Sequence, residues 1–204
     1  MFDMSLQTLI SRMIALVILA PIYGFTCALV ARMEGDDGPT NDGRAAFDPF
    51  RHLDILGSIC GIVFGYAWIR PTDVQISRLR GGVLGALGII VAGTAVLCAM
   101  AALAGQMIPL AVPHLNFGMA TLLREFLSTF MLMATGFAII NLLPIPPFGA
   151  GILLGWAWPG ADAQLRRISI VVGIIVIVLL ATGYPQMFLA PIAVELATSL
   201  GYRL

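Results

Sequence analysis

The sequence predicts an all-α integral membrane protein, with four to five transmembrane helices plus a short re-entrant segment. Two observations carry that expectation. Of 204 residues, 59% are hydrophobic and only 11% charged, far below the roughly 25% charged residues of a soluble domain. Too few polar side chains exist to cover a water-facing globule, so lipid must solvate much of the surface. The charges are also clustered, which leaves long uncharged runs and a mean hydropathy of +0.97.

The first run extends from Met13 to Ala31 between Arg12 and Arg32. It approaches the roughly 20 residues that one crossing needs, and a helix is expected over about 6–31. Pro21 should kink it, which bilayer helices tolerate when neighbours satisfy the freed carbonyl. The N-terminus has no basic start and no A-x-A site after the apolar run, so this run is expected to be retained rather than removed as a signal. Residues 32–54 turn polar around Gly35-Asp36-Asp37-Gly38-Pro39-Thr40-Asn41-Asp42-Gly43, the composition of a solvent loop.

The apolar run 55–69 is short for a straight crossing and reads as a re-entrant segment or a short tilted span. Further helices are expected over about 82–104, 119–143 and 168–184. The third ends in Pro144-Ile145-Pro146-Pro147, which cannot continue a helix, and Pro185 should stop the fourth. The tail 191–204 is expected along the interface, with Glu195, Tyr202 and Arg203 as polar contacts. The whole chain, 1–204, reads as a single transmembrane domain.

Arginine placement chooses between topologies. If 55–69 dips in and returns, Arg32, Arg44, Arg51, Arg70, Arg78, Arg80, Arg166 and Arg167 share a side, leaving Arg12, Arg124 and Arg203 opposite. That asymmetry fits the positive-inside pattern better than full crossing does. Four spans with both polar loops and the Asp162 turn cytoplasmic are therefore expected.

Other classes are disfavoured. Formal charge is zero, with no basic tract, which argues against a nucleic-acid partner. Cys27, Cys60 and Cys98 lie in apolar stretches without C-x-x-C spacing and read as small buried hydrophobes. No second half repeats the first and no intramembrane acid or base marks an ion path, so a transporter ranks low. Gly81, Gly82, Gly85, Gly88 and Gly93 recur at spacings that allow close helix approach in lipid.

Asn141-Leu142-Leu143-Pro144-Ile145-Pro146-Pro147-Phe148-Gly149 resembles the N-x-x-P-x-P-x-x-D-G signature of the site-2 protease family, intramembrane zinc metalloproteases. Asp48-Pro49-Phe50-Arg51-His52-Leu53-Asp54-Ile55-Leu56-Gly57 is similar to the N-P-x-x-H-I-D-P-x-G segment of compact bacterial members, with Asp48 for Asn and Ile55 for Pro. Gly65-Tyr66-Ala67-Trp68 stands where such members have a G-W-A-K-like turn. Order and spacing agree from about residue 20 to 185. The resemblance implies a site-2-protease-like core and a multi-pass protein of the bacterial inner (cytoplasmic) membrane.

That family carries H-E-x-x-H on a membrane helix, where two His one turn apart bind zinc and Glu is general base. Here Tyr23-Gly24-Phe25-Thr26-Cys27 stands in its place, followed by Ala28-Leu29-Val30-Ala31. In this register Tyr23 and Cys27 replace the His pair, Gly24 replaces the base, and Gly149 replaces the downstream Asp ligand. A catalytic zinc needs about three protein ligands and an open water position, so the expectation is a degenerate pseudoprotease that is not an enzyme and binds no metal or cofactor. Cys27, His52, Asp54 and Cys60 have no metal-ligand spacing; His52 and Asp54 are expected to hold the re-entrant segment, and His114 to be a solvated turn residue.

The resemblance also puts the stretch from Asn141 to Pro146 beside the groove where active relatives hold an extended substrate strand. Asn141, Pro144 and Pro146 are thus candidate partner-binding residues, although Asn141 could instead cap the broken helix. The implied partners are other integral membrane subunits, client transmembrane helices and lipid. The first functional expectation is an accessory or scaffold subunit, or assembly factor, of a larger membrane complex. The second is a regulatory protein that binds client transmembrane segments.

Overall fold

The computed structural model describes residues 5–158 and 162–200, and among them all regular structure is helical. Helix α1 spans Leu6–Met33, begins at Ser5, whose side chain accepts the Thr8 amide, and continues through Pro21. The polar loop carries two single-turn helices, α2 (Gly38–Asn41) and α3 (Pro49–His52). Helix α4 covers Ile55–Phe64, α5 Val83–Ala111 and α6 Phe117–Asn141. After the proline-rich break come α7 (Ile152–Ala157), α8 (Asp162–Thr182) and α9 (Tyr184–Ser199).

Helices α1, α6 and α5 with its following turn are long and apolar enough to cross a membrane; α8 and α9, bent by 90°, add a fourth crossing if they form one broken span. Three or four candidate spans among the described residues stand against the expected four to five. The fourth expected helix does end near Pro185, but the chain restarts as a helix at Tyr184, with Pro185 inside its first turn. Proline is tolerated there because its missing N–H would lack a helical partner anyway. The expected interfacial tail is therefore the second half of α9 up to Ser199, while Tyr202 and Arg203 lie outside the described residues.

The segment 55–69 folds back on itself. Helix α4 has 10 residues, about 15 Å of rise, half of a hydrocarbon core. Gly65, at φ 83°, turns the chain back. Ile69 then forms an antiparallel bridge with Leu53, so the segment enters and leaves at the same end. Its part-buried tip is capped by Arg12, which donates to the carbonyls of Ile62 at 3.0 Å and Val63 at 2.6 Å.

Helices α1, α5 and α6 pack around one core that includes Leu16, Leu19, Tyr23, Leu97, Met133 and Phe137. A second cluster joins the re-entrant segment, the end of α6 and α8 through Cys60, Trp68, Ile140, Phe148 and Leu180. Gly93 lets α1 approach α5, for a Cβ there would lie 2.6 Å from the Tyr23 ring and 2.9 Å from the Cys27 sulfur. Gly88 meets nothing within 4 Å, so the glycine run is only partly a packing face.

The polar loop is not a free solvent loop. Asp36, His52 and Arg44 are buried. Asp36 accepts the amides of Gly38 at 3.0 Å and Gln75 at 2.7 Å. Arg44 donates to the carbonyls of Arg70 at 3.0 Å and Pro71 at 3.1 Å. Together they clamp an extended strap, residues 70–75, against the membrane end of the fold.

Candidate functional site

Helical spacing puts Tyr23 and Cys27 on one face of α1, four residues apart. That face looks toward Gly93 on α5 and toward the break after α6: the Tyr23 ring lies tilted against Phe137, centroids 5.2 Å apart, and its hydroxyl fills the space that a Cβ on Gly149 would need. Three of the four positions singled out by the family resemblance, Tyr23, Cys27 and Gly149, therefore meet.

The fourth does not join them. Gly24 points away from this face, and a Cβ there would overlap the imidazole of His52. His52 is fully buried in α3, with Nε2 2.9 Å from the Ala46 carbonyl and Nδ1 without a partner among the described residues. Burial lowers its pKa from the ordinary imidazole value, opposed by the Ala46 hydrogen bond. Its own carbonyl accepts the Arg70 amide at 2.8 Å, so His52 ties α1 to the strap. Asp54 caps α4 through the Gly57 amide at 2.8 Å and takes the Trp68 indole N–H at 3.1 Å, holding the re-entrant segment. His114 is exposed in the turn Val112–His114.

Asn141 is the last residue of α6 and is buried. Its Nδ2 donates to Ala67 at 3.0 Å and to Phe137 at 2.8 Å, and its Oδ1 accepts the Gly149 amide at 3.0 Å. One side chain thus fixes the returning arm of the re-entrant segment and the loop after the helix break. Both amide hydrogens are committed, so Asn141 shapes the site through these bonds. Pro146 is buried and lines it; Pro144 is exposed and does not.

The result is a groove enclosing a cavity of about 140 Å³, with Tyr23, Cys27, Thr72, Ile90, Asn141 and Gly149 among its lining. Two stretches of non-helical backbone flank it, the strap and the proline loop. Thr72 N–H and the carbonyls of Pro146 and Pro147 have no partner among the described residues. The sequence marks Arg70 to Arg80 only as a polar stretch, and nothing local shows that Asp36 and Arg44 hold its first part as a strap.

A zinc ion is what the family resemblance implies here, and the donor set does not fit one. Tyr23, Gly24, Cys27 and Gly149 supply one thiol and one phenol where three protein ligands are needed, and the space of the missing carboxylates is filled by His52 and the Tyr23 hydroxyl. Among the described residues no group of three His, Cys, Asp or Glu could hold a metal.

The chain is similar to a protein of Bacillus subtilis (strain 168) named "Putative zinc metalloprotease YwhC", with 26% identity over 182 residues that cover 87% of this chain and 83% of that one. No protein-family profile matches the chain, and no solved structure matches it. This relative overturns the expectation that the chain is not an enzyme: similarity along most of the sequence to a protein so named points to protease activity. The unsuited donor set concerns the four positions alone and excludes no reaction.

Proposed function

We propose that this site-2-protease-like protein of a bacterial cytoplasmic membrane binds a segment of a membrane-protein client, in extended form, in the groove between α1, α5 and the proline loop. The observation that carries the proposal is the pair of irregular backbone stretches on either side of the cavity. Non-helical backbone that borders a cavity can leave polar groups without a partner inside the chain. Here it offers an unpaired N–H at Thr72 and unpaired carbonyls at Pro146 and Pro147, the groups that an added strand pairs with. Tyr23, Ile90 and Ile152 give apolar contact for its side chains.

The experiment is capture by a photoreactive amino acid placed at Ile90 in the groove or at Val171 on the exposed face of α8. A single-span client peptide should crosslink from Ile90 and not from Val171, and the Ile90 crosslink should be lost in the Asn141→Ala background. Equal capture from both positions would refute a groove. The mass of the captured peptide then distinguishes holding from cutting.

A second reading, an accessory subunit of a larger membrane complex, draws on the bulky exposed face Ile170, Val171, Ile174, Ile175 and Val178 of α8. Crosslinks from Val171 to a stoichiometric protein partner, rather than to lipid, would favour it.

A further inference from the structure

At the opposite end of α6 a different site remains open. Arg124 sits seven residues beyond Phe117, about 10 Å along the helix, and it lines a cleft of about 220 Å³ with Gly105, Gln106, Pro109, Val112 and Pro113. Arg124 has no hydrogen bond or ion pair among the described residues, and no acid lines the cleft. The adjacent Glu125 turns the other way, 3.5 Å from the Thr8 hydroxyl on α1. Arg124 is exposed, and an arginine near the end of a membrane helix pairs with a partner or snorkels to the headgroup interface.

The surroundings say which anion. Leu103, Gln106, Met107 and Leu110 recur at helical spacing on one exposed face of α5. Three of them are apolar and would contact acyl chains; the one amide is the residue that also lines the cleft beside Arg124. Phe117 and Leu122, also exposed, extend the apolar border on α6. A guanidinium fork with a neighbouring carboxamide, at the level where a membrane helix begins and bordered by lipid-facing side chains, suits a phosphate carried on two acyl chains.

We propose that Arg124 and Gln106 bind the phosphate of an anionic phospholipid. The fork takes two non-bridging phosphate oxygens, the Gln106 amide donates to a third oxygen, and the acyl chains lie along Leu103, Met107 and Leu110.

The test is native mass spectrometry of the full chain released from nanodiscs that contain phosphatidylglycerol and phosphatidylcholine in equal amounts. The wild-type chain should retain one phosphatidylglycerol in preference to phosphatidylcholine. Arg124→Gln should lower that retention about tenfold, the size expected for losing a charged hydrogen-bonded contact. Arg124→Lys, which keeps the charge but not the fork, should fall between them and also controls for folding. Arg32→Gln, at the other membrane end, should leave retention unchanged. Equal retention by wild type and Arg124→Gln, or equal retention of the two lipids, would overturn the proposal. An excess of inorganic phosphate should not displace the lipid; if it does, the site recognises a free anion and the lipid assignment fails.

Discussion

The two ends of α6 use polar side chains in opposite ways. At its last residue, Asn141 spends both amide hydrogens and its carbonyl oxygen on Ala67, Phe137 and Gly149, and the neighbouring strap is tied by Asp36 and Arg44. Near its start, Arg124 is left without a partner among the described residues, in an open cleft. Inside a membrane an unmet polar group is costly. The satisfied end is therefore architecture, a frame for a groove, whereas the unsatisfied end waits for something to complete it. The comparison also separates two kinds of opening: the groove presents unpaired backbone, the cleft an unpaired charge.

The sharpest way to break this contrast is Asn141→Ala. It strips the partner from the buried Ala67 carbonyl and the part-buried Gly149 amide, and should cost about 2–4 kcal/mol, taking roughly 1–3 kcal/mol for the buried carbonyl and about 1 kcal/mol for the part-buried amide. Unfolding in mild detergent measures it, and a loss below 1 kcal/mol would mean that water or another side chain replaces the amide. Next comes Gly24→Ala. The added methyl lies 2.6 Å from the His52 Cε1, and overpacking of this kind costs about 1–3 kcal/mol. In a His52→Ala background the same substitution should be nearly neutral; an unchanged cost would show that the two residues are not coupled. Smallest is Arg124→Gln at the open end, expected to move stability by less than about 0.5 kcal/mol in lipid-free detergent. A larger loss would mean that Arg124 is structural.

The long helices were legible because nothing competes with an uncharged run of membrane length: α1, α5 and α6 follow directly from the positions of Arg12, Arg32, Arg80 and Arg124 and from the proline cluster after Asn141. The short run 55–69 is too brief for a straight crossing, and arginine placement favours its turning back; the Leu53–Ile69 bridge brings its two ends together. What the chain hid was tertiary. Pro185 looks like a helix stop and is a helix start, since only the neighbouring turn decides which side of the proline is helical. The loop 32–54 looks solvated because its polar residues are local, whereas the amide that Asp36 binds is 39 residues away.

The site was legible in the same uneven way. Tyr23, Cys27 and Gly149 come together, whereas Gly24 meets His52 instead, a contact that no spacing rule announces. The strap that forms the second wall of the groove carries no motif at all. The relative's name corrects the functional conclusion drawn from missing ligands: counting absent side chains at four positions says what those positions do not carry, not what the protein cannot do.

The most direct test of an extended client lying in the groove is hydrogen exchange at the Thr72 amide, followed by NMR or mass spectrometry with and without a single-span client peptide. The account predicts that exchange at Thr72 slows when the peptide binds, because the free N–H gains a carbonyl partner, while exposed amides at the distal turn, such as His114, are unchanged. Bound peptide with exchange at Thr72 unaltered would contradict it.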